Sequence, residues 1–310
     1  MPTPPPPRFR TVVAALDFSP SSAAALVRAA DLAGRSGAAL HLLHADVLFR
    51  SSGGGAPDAS PSSALRVRVE RFAAQALGLD GGALDGLGPG ISVVRDVTPA
   101  AAILRHASEA EADLLVVGTH GRSGLGRVLL GSVAEAVVAA APCPVLTVPE
   151  RAGGVAPSDR APVLVAVDFS ERSRAALAAG RALAALYGAP VELVHVVRDA
   201  GPYPSVAPGV LSVSDADPGE AEAVRERLGR FADGVAGAAP AERHLGYGAP
   251  SRVVPALAAE RGAGAVVMGT HGRTGLARVV GSVAEATLRR AQCPVLTLKV
   301  AERFGAAPPR

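Results

Sequence analysis
The chain has 310 residues, 49% hydrophobic and 19% charged, with a formal net charge of +3. That length suggests two domains, and that composition suggests packed cores rather than disorder. Aromatics are only 3% with no Trp, which argues against a base-stacking surface; no run of arginines forms a nucleic-acid stripe; and with Lys299 the single lysine, a P-loop and a Schiff-base nucleophile are excluded.

The opening MPTPPPPRFR reads as a polyproline-type tail over 1–10. A short apolar run at 11–17 ends in Asp17, as a buried parallel strand does. Residues 21–35 carry Ala and Leu at helical spacing, with Ser19 or Ser21 as the N-cap. A strand over 39–45 follows, then a Gly/Ser/Pro-rich loop from 46 to 63 and a helix over 64–78. The spacing next predicts a strand over 91–96, a helix over 99–110 and a strand over 113–118. After a glycine-rich phrase come a helix over 132–141 and a last strand, 144–148. The Pro/Gly-rich stretch after 149 reads as a linker. The pattern then repeats, with strands near 162–168, 190–197, 241–247, 264–269 and 294–299.

The repeat is visible in the letters. VVAALDFSPSSAAAL at 12–26 matches VLVAVDFSERSRAAL at 163–177, and an offset of 151 relates Asp17 to Asp168 and Gly118 to Gly269. GSVAEA and CPVLT recur at an offset of 150. A period near 150 is the size of a domain, too long for a solenoid. The expected organisation is a first domain over 11–149, a linker over 150–161, a second domain over 162–300 and a tail over 301–310. Five strands alternating with helices predict an α/β fold in each half: a mostly parallel, Rossmann-like sheet covered on both faces. Ligands on such sheets bind beyond the carboxyl ends of the strands, where Asp17 and Gly118 both sit.

The phrase GTHGRSGLGRVLLGS at 118–132 has Gly118, Gly121, nine residues, then Gly131 and Ser132 at a helix start. Glycines allow close backbone approach, successive amides form an anion-binding concavity, and a helix start favours phosphate. Arg122 and Arg127 in the loop offset phosphate charge, while Asp17 suits a base amine or a ribose hydroxyl. The plainer alternative is that the glycines only make tight turns and Ser132 is an N-cap. Strand before, helix after and the strand-end Asp favour the nucleotide site.

These three stretches, the VVAALDFS opening, the glycine phrase and the CPVLTV closing strand, resemble the universal stress protein family, and two copies resemble its tandem type. The resemblance implies ATP held with the strand-end Asp near adenine, the residue after the second-strand His (Ala45, after His44) lining the adenine pocket, and the glycines and Ser around the phosphates. The candidate ATP set is Asp17, Ala45, Gly118, His120, Gly121, Arg122, Gly131, Ser132 and Val133. It further implies pairing of the two domains within the chain, with room for a homo-oligomer, and a sensor or switch role in stress response. The second copy keeps Asp168, Gly269, Gly272, Gly281 and Ser282 but has eight residues, not nine, between its second and third glycines. One residue fewer withdraws about 3.3–3.6 Å of chain reach, so this site is expected to be weaker or empty.

His120 and His271, inside the phrases, read as loop-shaping rather than catalytic. No convincing base, arginine finger or carboxylate pair points to more than slow hydrolysis, and Mg²⁺ is compatible without being indicated. The acids nearest the phrase are Asp113 and Glu135, in no metal pattern. Cys143 and Cys293 match across the copies and read as buried free thiols. No run reaches about 18 apolar residues and no signal peptide opens the chain, so a cytoplasmic protein with no membrane or nucleic-acid partner is expected. The competing readings are a nucleotide-free dimerisation or partner-binding module and, against the missing lysine and His-x-Gly-His signatures, a nucleotidyl transferase.

Overall fold
Runs such as TVVAAL and LLVVG lack polar alternation, and both become strands buried almost throughout. The computed structural model describes residues 9–47, 61–79, 88–119, 130–152, 158, 160–197, 218–270 and 280–299. They form two compact units, within Arg8–Gly154 and Val155–Gly305.

The first unit runs β1 (Thr11–Leu16), α1 (Pro20–Ser36), β2 (Ala39–Val47), α2 (Pro61–Leu77), β3 (Gly90–Asp96), α3 (Pro99–Glu109), β4 (Leu114–Gly118), α4 (Ser132–Ala140) and β5 (Val145–Val148). Its strands lie in the order β3-β2-β1-β4-β5 with every neighbouring pair parallel. The second unit runs β6 (Val163–Ala166), α5 (Glu171–Tyr187), β7 (Val191–Val197), α6 (Pro218–Asp233), β8 (Glu242–Tyr247), α7 (Pro250–Glu260), β9 (Ala265–Gly269), α8 (Ser282–Arg290) and β10 (Val295–Leu298). Its order, β10-β9-β6-β7-β8, is again all parallel. The α/β class expected from the alternation is the fold observed.

In each unit the chain winds outward from its first strand, then crosses to that strand's other side. The order therefore reverses between β1 and β4, and between β6 and β9, leaving a crevice beyond their carboxyl ends. In the first unit α1 packs on α2 and α3 on α4; in the second α7 packs on α8 while α5 lies on β6 and β9. Leu26, Leu32, Leu42 and Leu115 are fully buried in the first unit, as are Leu164, Leu177, Leu193 and Leu296 in the second. Each such leucine contributes roughly 1.5–3 kcal/mol by leaving water.

The ends of α1 and α5 show why these segments are helical. Ser19 and Ser170 are the N-caps, accepting from the amides of Ser22 and Ser173, and Gly37 and Gly188 close the helices with positive φ. Of the two serines proposed for the first cap, Ser19 is used. β1 ends one residue early, at Leu16, so Asp17 stands just outside the ladder. α2 starts at Pro61 rather than 64, because a proline loses nothing at the first helical position.

Candidate functional site
The residue after each strand-end aspartate is forced into an unusual backbone. Phe18 and Phe169 have φ of 66° and 64°, a left-handed conformation that phenylalanine rarely adopts. Each ring is held where it is. Phe18 lies 4.5 Å from the His44 ring and under Arg68 at 4.2 Å; Phe169 lies 4.5 Å from His195 and under Arg227 at 4.0 Å. His44 Nδ1 bonds the Leu16 carbonyl at 2.8 Å, and His195 Nδ1 bonds that of Val167 at 2.7 Å. The paired histidines thus tie the second strand to the turn that carries the aspartate.

In the first unit Asp17 Oδ1 accepts from the Ser19 amide at 3.0 Å. Ala45, half-buried on β2, follows the last registered pair, Leu16 with His44, and so stands abreast of Asp17. Gly118 ends β4 directly across the reversal. A methyl group there would meet Ser21 atoms at 2.5–2.9 Å, so this glycine has a packing reason of its own. Gly131 is the N-cap of α4, its amide donating to the Thr119 carbonyl at 2.7 Å, and no side chain caps the helix. Ser132, exposed, and Val133, half-buried, are therefore first-turn residues whose amides the helix leaves unpaired. Ser132 is not the cap that the plainer alternative required. His120, Gly121, Arg122 and Arg127 lie outside the described residues.

The second unit repeats this arrangement around a cavity of about 800 Å³. Asp168, Gly269, Gly281 and Ser282 all line it; Gly272 and His271 lie outside the described residues. Gly281 caps α8 and donates to the Thr270 carbonyl at 2.8 Å, again with no side-chain cap. Asp168 Oδ1 accepts from the hydroxyls of Ser170 and Ser173, each at 2.5 Å, and from the Ser170 amide at 3.0 Å. Burial alone would raise its carboxyl, but these donors together outweigh that and hold it below its ordinary value. Burial lowers the His195 imidazole, which keeps the ring neutral against its carbonyl partner.

The expected set missed Arg172, Ser170, Ser173 and Thr270, which also line the cavity. The signal lay in the repeat itself. SPSS at 19–22 becomes SERS at 170–173, so Ser21 is replaced by Arg172.

A separate cluster sits at the other edge of the second sheet. Ligand atoms of Glu192, Glu242 and His244 lie within 4.8 Å of one another. Arg261 already occupies both oxygens of Glu192, at 2.9 and 3.1 Å, so the group reads as an ion-pair network. Asp113 likewise accepts from the amides of Arg10 and Thr11, at 2.7 and 3.1 Å, away from the glycine phrase. Both cysteines are buried free thiols, and burial pushes Cys293 up to about 11. Among the described residues no helix is long and apolar enough to cross a membrane.

The model of the universal stress protein family matches residues 8–149 and again 160–299. A universal stress protein of Mycobacterium tuberculosis is 33% identical over 195 residues, covering 61% of this chain and 62% of that relative. The chain thus spans less than two thirds of that relative's length. One from Thermus aquaticus is 36% identical over 140 residues, covering 45% of this chain and 98% of the relative. A putative universal stress protein from Pseudomonas aeruginosa superposes with a TM-score of 0.63 at 19% identity, covering 94% of this chain and 93% of the other. One from Archaeoglobus fulgidus gives 0.62 at 21%, covering 94% and 98%. Those two likenesses are of fold. The family match spans both halves, and the chain belongs to the universal stress protein family, whose domain it carries twice.

Proposed function
We propose that the chain binds ATP at the carboxyl edge of its first sheet and acts as a nucleotide-dependent sensor or switch in stress response. One observation carries the reading: Asp17 and Gly118 flank the strand-order reversal, and α4 begins beside them with a glycine cap and, among the described residues, no side-chain hydrogen bond capping it. Asp17, with Ala45 abreast of it, suits the adenine and ribose. The amides of Ser132 and Val133 and the Ser132 hydroxyl suit the phosphates, helped by the helix dipole. Gly131 contributes by turning the chain, since its own amide is taken by Thr119. Gly121 permits close approach, with Arg122 and His120 beside it in the sequence. The second site, around Asp168, Gly269, Gly272, Gly281 and Ser282, is the weaker one, because its loop is a residue short. Its cavity of about 800 Å³ lies within the usual range for a small-molecule pocket.

Calorimetric titration of the purified chain with ATP tests this, after any nucleotide carried through purification has been removed. One tight event per chain, lost in Gly121→Val and weakened in Ser132→Ala, is expected. No binding, or binding indifferent to both changes, overturns the assignment.

A further inference from the structure
We infer that Arg172 is a phosphate ligand of the second-half pocket, a guanidinium at the position where the first half has Ser21. The inference rests on the nucleotide reading of the site. Arg172 lines the cavity together with Asp168, Gly269, Gly281 and Ser282. Its counterpart Ser21 is buried, 1% exposed, and packs against Gly118, the first glycine of the phrase. Arg172 stands at the position equivalent to Ser21 and lines the same cavity as Gly269.

The cavity lining carries one carboxylate, which has donors of its own, and one permanent cation. Asp168 is engaged by two serine hydroxyls and an amide, and burial keeps His195 neutral. Arg172 is the permanent cation among the described residues that line the cavity. Its reach also answers the shortened loop. The first half has nine residues between its second and third glycines and the second has eight, and a guanidinium on a long stem offers reach that the shorter span lacks. Its planar fork matches two phosphate oxygens at once, which an amide cannot do. The second site therefore selects phosphorylated nucleotides over nucleosides and weakens more steeply with salt.

The test uses the full chain with the first site disabled by Gly121→Val, titrated with ATP, adenosine and tripolyphosphate. Arg172→Ser, which installs the residue the first half has, is compared with Arg172→Lys, and thermal unfolding checks that each variant folds. ATP and tripolyphosphate affinity is expected to fall about tenfold or more in Arg172→Ser, with adenosine held within roughly twofold and the lysine variant recovering part of the loss. Unchanged or tighter ATP binding in Arg172→Ser overturns this inference alone, as does equal loss of adenosine and ATP. Binding of ATP by the unaltered chain at the first half only also overturns it while sparing the proposed function. Absence of nucleotide binding at both halves overturns both.

Discussion

The two halves keep the same turn at the carboxyl edge of their sheets and bury different polar groups at the amino edge. At the carboxyl edge both keep an aspartate, a phenylalanine with positive φ, a serine N-cap and a histidine bonded to a strand-end carbonyl. At the amino edge, position 41 is a histidine facing His106 at 6.3 Å, and His106 Nε2 is buried without a hydrogen bond. The equivalent position 192 is a buried glutamate gripped by His244 and Arg261. A strained turn constrains the backbone, so its supporting residues cannot drift separately. A strand start with room for a side chain only asks that its polar atoms be satisfied, and the halves do so with different chemistry.

The shared edge breaks most readily at Gly118. Gly118→Ala places a methyl against the Ser21 backbone at 2.8–2.9 Å, so α1 must shift off β4. The expected loss is about 3 kcal/mol, with first-half ATP binding lost alongside. Urea unfolding followed by circular dichroism checks it; a loss below about 1 kcal/mol would mean the start of α1 yields easily.

The divergent edge breaks at Arg261. Arg261→Ala leaves the Glu192 carboxylate, 5% exposed, with His244 as its remaining close partner. Removing one partner of a buried pair costs about 3–5 kcal/mol, and because Arg261 is itself a third exposed the expected value is nearer 2–3 kcal/mol. The double change Arg261→Ala with Glu192→Gln should recover most of it, since no charge is then stranded. Burial alone would raise Glu192, but the bonds from Arg261 and His244 outweigh it and lower its pKa. Its stabilising contribution is therefore present above the unfolded value, about 4.3, and is lost as pH falls through the lower folded value. A Glu192→Gln chain should show a flatter acid limb below about pH 4.3 than the unaltered one.

What the sequence made legible follows the same division. Unbroken apolar runs such as LLVVG could only be buried parallel strands, and the alternation with helices then dictates the crevice where Asp17 and Gly118 meet. The contact of Gly118 with Ser21 was not legible, because it depends on how closely α1 starts against β4 and on no local pattern. The Glu192 network joins residues 52 and 69 positions apart, beyond any periodicity. Arg172 was legible in principle: setting SPSS beneath SERS exposes it. The shortened loop drew attention to what the second copy lacks, while the compensating side chain lay a hundred residues upstream.

The finest difference between the halves lies in one pair of equivalent serines. Ser22 and Ser173 are similarly buried, 2% and 4% exposed, but their hydroxyls serve different acceptors. Ser22 Oγ donates to the Ser19 carbonyl at 2.9 Å, a neutral bond inside the first turn of α1. Ser173 Oγ donates to Asp168 at 2.5 Å and accepts from the Asp168 amide at 2.9 Å. Ser22→Ala should then cost about 1 kcal/mol, and Ser173→Ala about 2 kcal/mol at neutral pH, because a bond to a charged group is the stronger. The excess is tied to ionised Asp168, whose folded pKa is lowered, so it persists above the unfolded value and disappears as pH falls through the folded one. Urea midpoints of both variants at pH 7 and stepwise down the acid limb, until Asp168 is protonated, measure this. If the two serines cost the same at pH 7, or if the excess survives in acid, the hydroxyl pair does not set the charge of Asp168, and the second pocket is no more pre-arranged than the first.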